Sequence, residues 1–311
     1  MSTIAPSPLH ERIEELQHYV GNTPLFRLKN LSPNPNVEIW AKLEWQQFGG
    51  SVKARAAYRI MREAVRSGQL REGKILLDAT SGNTGIAYAI FAAVAGIPLT
   101  LCVPENASKE RKNVLKSLGV NVIYTSAMET TDGAQRVAKQ LAETAPDKYF
   151  YADQYANPNN WKAHYDSTAP EIFAQTEGHI THFVAGLGTT GTFTGTGRRL
   201  QELNPDIQRI ALQPETALHG LEGWKHLETA HTPAIYDASV ADALRTVDTG
   251  SAYIFMCRAA KEEGLLLSPS SAANLAGAVQ LASELDSGVI VTVFADDATK
   301  YSEVVEHVFQ N

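Results

Sequence analysis

The sequence predicts an α/β fold of two domains, each a largely parallel, twisted sheet flanked by helices. Short β-rich runs alternate with longer helical ones along the whole chain, the pattern of strand–helix–strand units. The helical runs fall one per crossover, as parallel strands require. With 311 residues, 44% of them hydrophobic, the chain can bury a sizeable core, and its length gives a prior of about two domains. The smaller domain is expected over residues 46–158, the larger over 1–45 together with 159–311.

Val37 to Leu43 reads as a strand of mainly apolar residues, and Arg55 to Arg66 as an amphipathic helix ending near Gly68. Strands are expected at Lys74 to Asp78, Pro98 to Val103, Asn121 to Tyr124 and Lys148 to Tyr151. Helical patterns at Thr84 to Ala95, Lys109 to Leu118 and Gly133 to Glu143 separate them. The Asn/Pro-rich stretch Ala156 to Asn160 reads as a crossing between two sheets. A second series follows, with strands at His182 to Ala185, Ile207 to Leu212 and Val289 to Phe294. Its helices are expected at Thr192 to Leu203, Ala252 to Glu263 and Ala272 to Leu285.

Composition narrows the function. Twenty-seven Lys and Arg against thirty-four Asp and Glu leave a formal charge of -7, and no basic run exists to neutralise a row of phosphates, so no nucleic-acid partner is expected. No segment approaches the ~18 apolar residues of a membrane span. Met1 to Arg12 has no cationic start followed by an apolar stretch, so no signal peptide is expected and a cytoplasmic location fits. Cys102 lies in a strand pattern and Cys257 in a helical one, which favours buried thiols over a disulfide. The nine histidines show no metal spacing, and no metal site is expected.

Ligands of such folds bind at the carboxyl ends of strands, so the loops there carry the functional signal. Thr80-Ser81-Gly82-Asn83-Thr84-Gly85 follows a strand and opens a helix. Its glycines allow close backbone approach, and free N–H groups at the helix start suit a carboxylate or phosphate, although the same string also reads as a plain N-cap. Gly186-Leu187-Gly188-Thr189-Thr190-Gly191-Thr192 lies again between strand and helix, rich in amides and hydroxyls that could hold a phosphate dianion without Lys or Arg. The same residues match G-x-G-x-x-G with Glu215 beyond the next strand, which keeps a nicotinamide-dependent oxidoreductase as a rival. Gly49-Gly50-Ser51-Val52-Lys53 puts a lysine at a helix start, where the dipole mildly disfavours it. A solvated lysine is the ordinary reading of that residue.

In this order the loops resemble the fold-type II pyridoxal-phosphate enzymes, built like the tryptophan synthase β chain, and most closely the cysteine synthases (O-acetylserine or O-phosphoserine sulfhydrylases). The resemblance starts at Gly21-Asn22-Thr23-Pro24-Leu25 and runs through Ser51-Val52-Lys53, Thr80 to Gly85, Gln154-Tyr155-x-Asn157-Pro158 and Thr168-x-Pro170-Glu171-Ile172. It then takes in Gly188 to Thr192 and Ser270-Ser271.

The resemblance implies pyridoxal 5'-phosphate as cofactor, with Lys53 as catalytic residue and internal aldimine. Gly188, Thr189, Thr190, Gly191 and Thr192 would cradle its phosphate, Asn83 its ring hydroxyl oxygen and Ser271 its pyridine nitrogen. Thr80, Ser81, Asn83, Thr84 and Gln154 would receive the substrate carboxylate. The implied reaction forms L-cysteine from an activated serine and sulfide through an aminoacrylate, with a homodimer as the assembly. Cystathionine β-synthase or serine/threonine dehydratase activity is the alternative on the same fold, and a silent amino-acid binder is a third class. Ala54, Ala169 and Ala272 depart from the usual Asp, Gly and Gly, which bears on the substrate more than on the cofactor. Lys225 stands near the place of a phosphate-recognising arginine in relatives that use O-phosphoserine. The segment Gln213 to Trp224 is expected as a loop at the active-site mouth, and Asp296-Asp297 as a turn.

Overall fold

The computed structural model describes residues 8–80 and 82–309. Its strands are β1 (Leu25–Arg27), β2 (Val37–Leu43), β3 (Ile75–Ala79), β4 (Leu99–Pro104), β5 (Asn121–Thr125), β6 (Tyr149–Tyr151), β7 (His182–Gly186), β8 (Gln208–Pro214), β9 (Ala243–Val247) and β10 (Gly288–Phe294). The α-helices are α1 (Leu9–Glu15), α2 (Lys53–Arg66), α3 (Asn83–Ala95), α4 (Lys109–Ser117), α5 (Thr130–Thr144), α6 (Asn159–Ala163), α7 (Ala169–Gln175), α8 (Gly191–Leu203), α9 (Thr249–Arg258), α10 (Pro269–Ala282) and α11 (Ser302–Phe309). The expected strands and helices are all present, with ends displaced by a few residues. The reading did not anticipate β1, β9, α1, α6, α7 or α11, which are short or carry too few buried positions to show a period. The helix expected to run to Glu263 changes at Ala259 into a π-helical turn, closed by Gly264 at φ 70°.

The chain forms two compact units, one built from the segment ending at Val20 with Lys53–Asn159, the other from Gly21–Val52 with Asn160–Asn311. The first holds a four-stranded parallel sheet in the order β5-β4-β3-β6. Strand β4 is buried along its whole length, which explains its nearly continuous apolar run, interrupted by Thr100 alone. Ile60 and Met61 of α2, Leu76 of β3, Phe91 of α3 and Leu101 of β4 share one core, while Leu77, Ala79, Cys102, Ala134 and Ala138 fill a second one that includes residues of α5. Helix α3 is apolar almost all round and correspondingly buried. Leu9, Ile13 and Leu16 enter the core of α2 and α3. Helix α1 therefore belongs to this unit, although the expected split grouped it with the larger one.

The second unit holds a six-stranded sheet in the order β1-β2-β10-β7-β8-β9, antiparallel only at β1. Its two apolar cores contain residues of α9 and α10, and of α7 and α8. Buried Lys42 of β2 pairs with Glu171 of α7 at 2.6 Å, and Glu171 also accepts the Asn22 amide at 3.0 Å. The Gly21–Leu25 and Pro170–Ile172 strings, distant in sequence, thus meet through the Asn22–Glu171 hydrogen bond.

Candidate active site

In the first unit Thr80, Asn83, Thr84 and Gln154 gather at the carboxyl end of β3. Thr80 follows the strand, and its Oγ1 accepts the amides of Gly82 (3.1 Å) and Gly85 (3.3 Å), opening α3. A Cβ on Gly85 would lie 2.5 Å from Thr80 Cγ2, so the loop closes tightly on its own helix. Asn83 is the first residue of α3. Gln154 Nε2 donates to Ala79 O at 2.8 Å, and its Oε1 accepts from Thr84 Oγ1 at 2.7 Å. Gln154 and Thr84 are thereby bound to the end of β3. Lys53 is the first residue of α2 and is partly buried. Ser81 lies outside the described residues.

An acid lies under this loop. Asp78 of β3 is fully buried, and desolvation pushes its pKa up to about 8. Burial likewise raises the Tyr88, Tyr151 and Tyr155 hydroxyls, with Asp78 adding to each shift, and takes the Cys102 thiol to about 11.

In the second unit the residues gather at the carboxyl edge of the neighbouring parallel strands β7 and β10. Gly186 ends β7, and α8 begins at Gly191 after Thr190, which has a left-handed φ of 72°. That turn aims the first amides of α8 into the loop, an arrangement suited to an anion. Asn160 Nδ2 donates to Thr189 Oγ1 at 3.1 Å, while the buried Thr190 Oγ1 has no hydrogen-bond partner among the described residues. Side chains are excluded where the backbone must approach: a Cβ on Gly188 would stand 2.1 Å from Gly223 O, and one on Gly191 2.0 Å from Asn160 Oδ1. This cradle fits a phosphate group held by amides and hydroxyls.

Ser271, fully buried in the first turn of α10, lies at the same edge. Asn274, one turn further on, accepts the Gly186 amide at 2.8 Å and donates to Val293 O at 2.7 Å, joining α10 to β7 and β10. Ser271 Oγ donates to Asp296 O at 2.7 Å and accepts from Ser268 Oγ at 3.0 Å. The helix does not start near Ala272 as its apolar pattern suggests. Pro269 begins it and Ser268 caps it by accepting the Ser271 amide at 3.2 Å. Asp296 is buried and accepts from Tyr301 Oη at 2.8 Å, while Asp297 caps a short 3-10 turn, so the two acids have separate structural roles.

Several partners of these loops were not singled out from sequence. His164 lies in a π-helical turn, His164–Thr168, with Nδ1 2.8 Å from Thr168 Oγ1 and Nε2 3.2 Å from Thr192 Oγ1. Asn274 had one available signal, a polar residue within a helical stretch that is otherwise buried, whereas Asn160 and His164 lie in half-exposed stretches that give none. The Gln213–Trp224 segment is more than a surface connection. Leu221 and Trp224 are buried, Gly223 O backs Gly188, and the Lys225 amide donates to Leu187 O at 2.7 Å. A separate cavity of about 320 Å³ in this unit, lined by Glu38, Trp40, Gln175, Thr176, Glu177 and His179 among others, contains none of the predicted site residues. Among the described residues, no cluster of three or more His, Cys, Asp or Glu side chains could hold a metal ion, and no helix is long and apolar enough to cross a membrane.

Comparison with known proteins agrees with the geometry. The family described as pyridoxal-phosphate dependent enzyme matches residues 16–296. The cysteine synthase of Aquifex aeolicus is 47% identical over 301 residues, covering 94% of this chain and 92% of that protein. An O-acetylserine dependent cystathionine β-synthase of Bacillus subtilis is 36% identical over 93% of this chain and 96% of its own. The crystal structure of a cysteine synthase from Entamoeba histolytica superposes with a TM-score of 0.87 at 27% identity, covering 100% of this chain and 98% of that one. These matches set aside the nicotinamide reading of the Gly186–Gly191 loop. With a family match over residues 16–296 and relatives alike over nearly their whole length, the chain belongs to the pyridoxal-phosphate dependent enzymes and, within them, to the cysteine synthase family.

Proposed function

We propose that this enzyme forms L-cysteine by β-replacement. The C–O bond to the leaving group of an O-activated serine breaks, a C–S bond to sulfide forms, and acetate or phosphate departs. The observation that carries the reading is the phosphate cradle Gly188–Thr192, built without Lys or Arg in a chain whose relatives are cysteine synthases over nearly their whole length. Pyridoxal phosphate, when bound, supplies the electron sink that makes the α-proton acidic and the β-substituent a leaving group.

This chain's residues do the rest. Lys53 would hold the cofactor through Nζ, Asn83 its ring hydroxyl oxygen, Gly188, Thr189, Thr190, Gly191 and Thr192 its phosphate, and Ser271 its pyridine nitrogen. Thr80, Ser81, Asn83, Thr84 and Gln154 would take the substrate carboxylate and so fix the α-carbon. The amine of Lys53, when not linked to the cofactor, is the base positioned for the α-proton. The same reading makes the enzyme a cytoplasmic homodimer, and sedimentation at the monomer mass would remove that part of it.

Purified protein is expected to be yellow and to consume O-acetylserine or O-phosphoserine with sulfide, yielding cysteine. Comparing the two donors, each with and without sulfide, identifies the leaving group. A protein that stays colourless with added pyridoxal phosphate, or that releases mainly keto acid in the presence of sulfide, overturns the reading. The Bacillus subtilis relative gives one competing version, in which a thiol such as homocysteine replaces sulfide. A higher kcat/KM with homocysteine than with sulfide would select it.

Ser271 provides a further expected result. Its single hydroxyl hydrogen already goes to Asp296 O, so a ring nitrogen must compete for it, and a neutral hydroxyl does not favour a protonated ring. Ser271→Ala should retain part of the activity. Ser271→Asp, which favours ring protonation, should lose β-replacement more severely and leave a longer-lived coloured species in stopped-flow spectra. Unchanged spectra with lowered melting temperatures in both variants would reduce Ser271 to a helix-start residue.

A further inference from the structure

Asp78 takes no part in the reaction proposed above, yet it underlies the residues proposed to bind the substrate carboxylate. It is fully buried, and its Oδ1 accepts the Ala79 amide at 2.8 Å, while the Gln154 amide also acts on the carboxyl. The Gln154 side chain closes the circuit through Ala79 O and the Thr84 hydroxyl. Asp78 Oδ2 and the Tyr88 hydroxyl are buried and make no hydrogen bond of ordinary geometry among the described residues, although they lie close enough to affect each other's protonation.

Its surroundings disfavour a negative charge. The titratable groups acting on Asp78 or near it are Tyr88 from α3, Cys102 from β4, Tyr151 from β6, and Asp153 and Tyr155 from the segment that follows. Behind these, Asp132 and Lys139 of α5 act on Tyr155 and Asp153 respectively. A carboxylate buried among phenols and another acid loses its hydration without a paired cation.

We propose that Asp78 is the positioning residue of the substrate-carboxylate pocket, its buried carboxyl anchoring the end of β3, where the Gln154 side chain meets Ala79 O, so that Thr80, Thr84 and Gln154 converge on one anion. The inference rests on the reading that these residues receive the substrate carboxylate. When neutral, Asp78 accepts the backbone amides and puts no charge behind the pocket. When ionised, it sets a like charge beneath the incoming carboxylate. With a pKa near 8, the change falls within an accessible pH range.

The test compares holoenzyme carrying Asp78→Asn or Asp78→Ala with the unaltered protein. L-Serine binding is followed by the visible absorbance between pH 6.5 and 9.5. An asparagine amide imitates the protonated acid, its oxygen accepting from the Ala79 and Gln154 amides and its nitrogen able to donate to Tyr88. Asp78→Asn should keep the neutral-pH affinity and lack the extra weakening that the unaltered enzyme shows above about pH 8. Asp78→Ala, which leaves buried amides unpaired, should raise Kd and KM about tenfold at every pH while lowering kcat much less.

Melting temperature gives a readout independent of turnover. The folded pKa is raised above the unfolded value, so the folded state binds the extra proton and its advantage is lost as pH rises from about 4 to about 8. The stability of Asp78→Asn relative to the unaltered protein should therefore climb across that interval and then level off. That climb checks the raised pKa itself, and the pH profile of substrate binding separates a positioning role from a merely structural one. An unchanged Kd in Asp78→Ala, or in Asp78→Asn a pH profile of binding identical to the unaltered one, overturns the inference, and the asparagine variant alone decides it should the alanine variant not fold. If even the unaltered holoenzyme gives no spectral response to amino acids, the carboxylate-pocket reading fails first and takes the inference with it.

Discussion

Replacing Lys53 by alanine is expected to slow turnover of an O-activated serine by about a thousandfold or more, the scale of losing a positioned general acid–base, with the added loss of the covalent cofactor link. The fold should survive. Lys53 opens α2, where a cation opposes the helix dipole, and alanine is the better helix former, so the melting temperature should hold or rise slightly. The cofactor should still bind, more weakly, because the proposed phosphate cradle lies far along the chain in the larger unit. Steady-state rates, cofactor content after dialysis and borohydride trapping on the unaltered protein check this together. Near-normal turnover in the variant, or a trapped cofactor on another lysine, would remove Lys53 from the role proposed for it.

Gly188→Ala is expected to empty the site by another route. The added Cβ would lie 2.1 Å from Gly223 O, and the obstacle is backbone, which cannot swing aside as a side-chain tip can. Either the Gly186–Thr192 loop or the segment through Gly223 and Trp224 must move, and each movement spoils the amide array at the start of α8. Overpacking of this kind costs about 1–3 kcal/mol of stability. The larger effect should be on cofactor retention, with affinity at least about tenfold weaker as amide–phosphate hydrogen bonds are misaligned. Gly191→Ala should be milder, since its obstacle is the Asn160 side chain. Full cofactor content in Gly188→Ala after dialysis would mean that the phosphate sits elsewhere.

The departures from the family pattern also acquire a setting. Ala54, Ala169 and Ala272 are fully buried within the first turns of α2, α7 and α10. A methyl group suits such helical positions better than glycine's freedom or an unpaired aspartate would. Their effect on the active site is therefore expected through the packing of those helix starts, with no catalytic group removed.

The main repeating elements could be read from local order because their signals are local. β2 shows its character over adjacent residues, and α2 through the spacing of Ile60, Met61 and Ala64 on one buried face. The Thr80–Gly85 and Gly186–Thr192 loops, and Lys53 at a helix start, were visible because small residues must stand where a strand gives way to a helix. Partnerships between remote segments were not visible in that way. Strand β9 has an alternating, half-exposed pattern and gains its identity from its neighbour β8; Asn160 meets Thr189, and Asn274 bridges β7 and β10, across long sequence separations. The same holds for protonation. Asp78 reads in sequence as an ordinary aspartate ending a strand, and it becomes a buried acid with a raised pKa because β4, β6 and α3 close around it, a desolvation that depends on surrounding volume and on which groups fill it.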